Sequence, residues 1–171
     1  MGSIKMVPGG ALRNTAEAIG RLGWTKPTFV SAVGDDEMSN VIRRSLEEAG
    51  VSADGLYVNK DLSTAAYNGI LNEKGDMFCG VSDMKVLEDI PKSHLDKFHF
   101  WDSQILLIDG NVGYATLEYL LGRSSKVRHV IYDPISQAKC GRIMEGDFLT
   151  RLTCFKPNIT QLRHLCKQLS T

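Results

Sequence analysis

Gly9 and Gly10 stand just before a helical pattern whose first turn holds Arg13 and Asn14. Glycine lacks a Cβ, so backbone there can come within contact distance of a ligand. The helix start behind it offers free N–H groups and a positive dipole end. Arginine donates from a rigid fork, and asparagine both donates and accepts. That mixture suits a polyhydroxylated ligand. A plain Pro-Gly-Gly turn followed by a solvated Arg-Asn pair is the competing account, and a lone glycine pair does not choose between them.

Further along, three apolar runs end in polar loops: "QILLIDGN" with Asp109 and Asn111, "VRHVIYDP" with Asp133, and "TCFKPN" with Lys156 and Asn158. Open parallel sheets bind ligands at the carboxyl ends of their strands, so these loops are the candidate positions. Asp109 and Asn111 read as ligand contacts, with a tight turn before Tyr114 as the alternative. Asp133 before Pro134 reads as a turn opener, with a metal or phosphate-side carboxylate as the alternative. Asp35 and Asp36 follow an apolar run and precede a helical one, so helix capping is expected of them.

Composition limits the partners. Lys plus Arg and Asp plus Glu number twenty each in 171 residues, so no bulk charge draws the chain to nucleic acid or an anionic membrane. Any bound anion must be held locally. Cys79, Cys140, Cys154 and Cys166 form no C-x-x-C pair and read as thiols of a reducing, cytoplasmic compartment. His94, His99, His129 and His164 share no ligand spacing and read as core or solvated. No apolar run approaches the ~20 residues that span a bilayer.

The elements that must hold these residues follow from periodicity. Leu12, Ala16, Ile19 and Leu22 predict a helix over Ala11 to Leu22, stopped by Gly23. Thr28 to Gly34 predicts a buried strand, and Asp35 to Ala49 a helix with Val41, Ile42, Leu46 and Ala49 in one stripe. "LYVN" and the alternating "TAAYNGILNEKGDMFCGV" predict an antiparallel appendage turning at "NEKGD", with Met77 and Met84 packing against it. After a short helix near Pro91, strand and helix alternate again. Tyr114 to Leu121, a piece around Met144 to Leu152, and Ile159 to Leu169 read as helices. Strand-helix alternation of this kind predicts an α/β fold with a parallel sheet.

The stretches "PGGALRNTAEAIGRLG", "VSAVGDDEMS", "STAAYNGILNEKGDMFCGVSDM", "ILLIDGN", "YDPIS" and "FKPNITQL" occur in an order that resembles ribokinase-like sugar and nucleoside kinases, the PfkB family. Arg13-Asn14, Ser82-Asp83-Met84 and Asp109-Gly110-Asn111 look most like its pseudouridine kinase branch. The resemblance implies a ribokinase-like three-layer α/β/α fold, truncated at both ends. Residues 1–171 would form a partial kinase domain with a β-lid at about 55–84. It implies transfer of the γ-phosphoryl of ATP, with Mg²⁺, to a sugar or nucleoside hydroxyl. Gly9, Gly10, Arg13, Asn14, Asp83, Met84, Asp109 and Asn111 match substrate-binding positions, and Asn158 and Gln161 the ATP and metal side. The lid's strands are a surface on which two copies could pair.

The departures are specific. Leu12 replaces a small residue, Ser39 a glycine, and Gln161 the glutamate of Asn-x-x-Glu. The Gly-Ala-Gly-Asp segment that carries the family's catalytic Asp is expected beyond Thr171, and the sugar-binding Asp of the family's first strand is expected upstream of Gly9. Alone, the chain is expected to be inactive and to expose surface that a partner would cover. A non-catalytic binding module derived from the kinase fold is the other expectation.

Overall fold

The computed structural model describes residues 2–88 and 90–169. Helix α1 is Ala11–Leu22 and strand β1 is Ser31–Gly34, followed by α2, Glu37–Glu48, and β2, Leu56–Asn59. Strands β3, Ala66–Leu71, and β4, Met77–Asp83, come next. They precede α3, Lys92–Leu95, and β5, Ile105–Asp109. Helix α4, Tyr114–Gly122, and β6, His129–Asp133, lead to α5, Gln137–Cys140. Strand β7, Cys154–Phe155, and helix α6, Ile159–Leu169, close the described chain.

The parallel strands form two ladders, β1–β2 and β5–β6–β7, and β3–β4 is a separate antiparallel hairpin. Adjacent residues of a strand point to opposite faces, and β1 shows why helices lie on both sides. Ala32 joins the main core with Leu117, Leu121, Ile108 and Tyr132, whereas Val33 packs with Ala16, Leu46, Ala49 and Val51 of the α1–α2 side. The architecture is therefore the expected layered α/β arrangement, with parallel strands between helices and a separate antiparallel hairpin.

Three expectations change. The alternating stretch at 56–59 groups with the lid by pattern, yet Ser31–Gly34 pairs with Leu56–Asn59 in parallel register. A four-residue run fits either partner, and the parallel place buries Leu56. The hairpin proper is Ala66–Asp83, and Tyr67, Ile70, Phe78 and Val81 are exposed on it.

On α1 the buried residues are Arg13 and Ala16, whereas Leu12 and Ile19 of the apolar stripe are only half-buried and Leu22 is exposed. The helix turns that way because Arg13 finds polar partners inside and Gly20 lies against Ala49. The helix expected at Met144 to Leu152 is instead α5 followed by tight 3₁₀ turns at Gly141–Met144 and Phe148–Arg151. Gly146, at φ 56°, interrupts the run.

Helix α2 starts as expected. Asp36 is its N-cap and accepts from Ser39 N at 3.0 Å. The same carboxylate accepts from Thr64 N and Thr64 Oγ1, both at 2.7 Å, and Thr64 Oγ1 accepts from Gly34 N at 2.9 Å. Asp36 therefore fastens the root of the hairpin to the end of β1. These bonds, Thr64 N–H first, hold its carboxyl below the ordinary aspartate range. The ionised form is favoured in the fold, so the stabilisation is full above the ordinary pKa. It fades as pH falls through the lowered one. Asp36→Ala is expected to cost about 1–2 kcal/mol in urea unfolding at neutral pH, with the gap to wild type closing in acid.

No helix among the described residues is long and apolar enough to cross a membrane. None of the four cysteines is in a disulfide. His94 is a core histidine: it is buried, sits 3.1 Å from Gly55 O through Nε2, and packs against Tyr57 and Phe98.

Candidate functional site

The carboxyl ends of β5, β6 and β7 carry a connected polar constellation. Parallel register sets Asp109 beside Asp133. Asp109 Oδ1 accepts from Asn111 N at 2.9 Å, and Oδ2 from Asn111 Nδ2 at 3.3 Å. The aspartate thus bends the chain back and fixes the asparagine side chain. Lys139 Nζ donates to Asn111 Oδ1 at 2.8 Å from the last turn of α5. Arg142 donates to the carbonyls of Gly110 and Val112. Lys156 pairs with Asp133 at 2.8 Å.

Burial pushes the Asp109 carboxyl above the ordinary range, against the lowering effect of Asn111 and Lys139. Asp133 also spends an oxygen on Ile135 N, 3.1 Å away, as a turn opener would. Ile135 is left-handed, with φ 63°. For a β-branched residue that is costly, and such strain concentrates at working loops. Beneath the loop, Tyr132 is fully buried, its hydroxyl has no hydrogen-bond partner, and burial raises its pKa to about 12.

The second group opens α1. Gly10, at φ 97°, is the N-cap, in a conformation that disfavours any side chain, and nothing caps the helix from a side chain. Gly9 and Asn14 are exposed, whereas Arg13 is buried among polar partners. The third group is at the foot of the hairpin: Asp83 ends β4 and is exposed, accepting from Lys85 N at 3.4 Å, and Met84 is half-buried.

The scaffold links these groups. Helix α1 lies beside β5, and the turn after Met84 lies beside β1. Glu88 O, past the hairpin, accepts from Gly113 N at 2.7 Å, so the exit of the hairpin is tied to the end of the Asp109 loop.

Asn158 and Gln161 form the fourth group, and their geometry is that of a reciprocal helix cap. Asn158 Oδ1 accepts from Gln161 N at 2.9 Å, and Gln161 Oε1 from Asn158 N at 2.8 Å. Both side-chain oxygens serve the start of α6, and Gln161 is 4% exposed. Mg²⁺ takes carboxylate oxygens alongside phosphates and water. A neutral, buried amide committed to backbone does not fit that role. No group of three His, Cys, Asp or Glu among the described residues could hold a metal ion. Gln161→Ala is expected to lower stability by about 1 kcal/mol, read from the urea midpoint.

Sequence reasoning passed over Thr64, Lys139 and Arg142. Lys139 and Arg142 follow "YDPIS" at the spacing of the next helical turn, which was the available signal. Thr64 carried none, since its partners Gly34 and Asp36 lie about thirty residues away.

Comparison with known proteins agrees with this architecture. The family pattern described as pfkB family carbohydrate kinase matches residues 1–171. The pseudouridine kinase of Escherichia coli (strain K12) is 28% identical over 159 residues, 92% of this chain and 50% of its own length. That of Arabidopsis thaliana is 28% identical over 166 residues, 94% of this chain and 42% of its own. The solved structure of Arabidopsis thaliana ribokinase complexed with ribose and ATP superposes with a TM-score of 0.73 at 20% identity, covering 92% of this chain and 51% of that one. The chain spans about half the length of the curated relatives it matches. It belongs to the pfkB family of carbohydrate kinases.

Proposed function

We propose that these 171 residues carry the acceptor-binding part of a sugar or nucleoside kinase of the pseudouridine kinase type. The observation that carries the reading is the Asp109–Asn111 loop at the carboxyl end of β5, braced by Lys139, on a strand that α1 flanks. A carboxylate accepts from hydroxyls, and an amide both donates and accepts, so the pair suits a ribose-like ring. Likeness to two pseudouridine kinases favours a pseudouridine-like acceptor over fructose or free ribose. Asp83 and Met84, at the foot of the hairpin, would close over it.

The glycine-rich Gly-Ala-Gly-Asp segment to which the resemblance assigns the proton acceptor has no counterpart in residues 1–171. We therefore extend the proposal to binding without turnover by these residues alone. Calorimetry with pseudouridine, ribose and fructose tests the first part: saturable heat with pseudouridine, weaker with the others, is expected. No heat with pseudouridine would overturn it. ATP consumption above about 1 s⁻¹ with pseudouridine would overturn the second part.

A further inference from the structure

Arg13 sits next to Asn14 at the proposed acceptor site, yet its guanidinium faces the protein. It is 7% exposed. Nε donates to Gly9 O at 2.8 Å. One terminal nitrogen donates to Glu17 at 2.6 Å and to Ser45 Oγ of α2 at 2.9 Å. The other donates to Pro8 O at 3.3 Å and to Asn14 Oδ1. A guanidinium has five N–H donors and no acceptor. Each of the five therefore has a partner within the chain, and none is left for a ligand. A guanidinium can only donate, so the Asn14 atom facing it is the carbonyl oxygen, and the amide NH₂ is the part turned outward.

We propose that Arg13 is a positioning residue for the acceptor site: it clamps the Pro8–Gly10 turn to α1 and α2, and it orients Asn14 as a hydrogen-bond donor. The inference rests on the acceptor reading above. Glu17 fits the role: it pairs with Arg13 at 2.6 Å and with Arg21 at 2.8 Å, and these bonds, Arg13 first, hold its carboxyl below the ordinary range. Lysine cannot replace it, because an ammonium at the end of a flexible stem does not reproduce a planar fork.

Three variants and three measurements test this. Arg13→Gln and Arg13→Lys should both speed amide hydrogen exchange across residues 8–14 without changing it in β5 and β6, and both should weaken pseudouridine binding about tenfold. Asn14→Asp keeps an acceptor for Arg13 and replaces the outward donor with an anionic acceptor oxygen. It should melt no lower than wild type and still lose at least about tenfold in affinity. An arginine with a merely structural role would lower the melting temperature and leave affinity unchanged.

Normal exchange at 8–14 in both Arg13 variants overturns the clamp, whether or not pseudouridine binds. Binding of pseudouridine by Asn14→Asp within twofold of wild type overturns the donor assignment. Failure of wild type to bind pseudouridine overturns the acceptor reading itself, and the exchange result then decides the clamp alone.

Discussion

Asp109→Asn is expected to weaken pseudouridine binding by about a hundredfold, the scale of one lost charge-assisted contact or two, while the unliganded protein melts no lower than wild type at pH 7.5. The carboxyl group is pushed above its ordinary pKa mainly by burial. The folded state therefore binds its proton more tightly than the unfolded chain does. Wild-type stability falls as pH rises from the ordinary aspartate range through the raised pKa, because an ionised group is being kept from water. The asparagine variant escapes that loss. Its advantage in melting temperature should appear above the ordinary carboxylate range and vanish in acid, where the wild-type group is protonated. A scan of melting temperature against pH, paired with calorimetry, reads both effects. Parallel losses of stability and affinity would instead mean that Asp109 merely builds the turn.

Gly55→Ala is expected to be the most destabilising change of its size, about 3 kcal/mol, at the upper end of the overpacking range. A Cβ there would strike the carbonyl of Phe29 and come within 3.1 Å of the Val30 Cα. The residue also sets its own carbonyl to accept from Ser31 N at 3.1 Å and to face His94 Nε2. One backbone position thus joins the start of β1 to the approach of β2 and to α3. Backbone on backbone cannot relax by a change of rotamer, so the ladder must shift. The urea midpoint reads the loss, and a midpoint within experimental error of wild type would show that the ladder yields freely.

Elements whose pattern was long and capped were legible in the sequence. The bounds of α1 and α6 follow from spacing and from terminal residues, and an acidic cap at Asp35 or Asp36 is legible ahead of the α2 stripe, the structure giving the role to Asp36. Partnership between strands was not legible. "LYVN" has the same alternation whether it pairs with Ser31–Gly34 or joins the hairpin, and only tertiary burial of Leu56 decides.

The site divides in the same manner. Asp109 and Asn111 could be picked out because a polar pair at the end of an apolar strand has few purposes. The burial of Arg13 was not legible, since a charged residue in a first helical turn ordinarily faces water. Its burial depends on carbonyls at Pro8 and Gly9 and on Ser45, thirty-two positions away. The resemblance sets Gln161 on the ATP and metal side in place of a glutamate, although Asn-x-x-Gln ahead of a helix is also the spacing of a reciprocal cap. Chemistry alone could not rank the two accounts; the paired bonds with Asn158 favour the cap.

The most direct test of a single acceptor cleft is a titration of ¹⁵N-labelled protein with pseudouridine, following the side-chain amides of Asn14 and Asn111 together. The account expects both signals to move and to saturate along one binding curve. Movement of only one of them, or two curves with different midpoints, would contradict it.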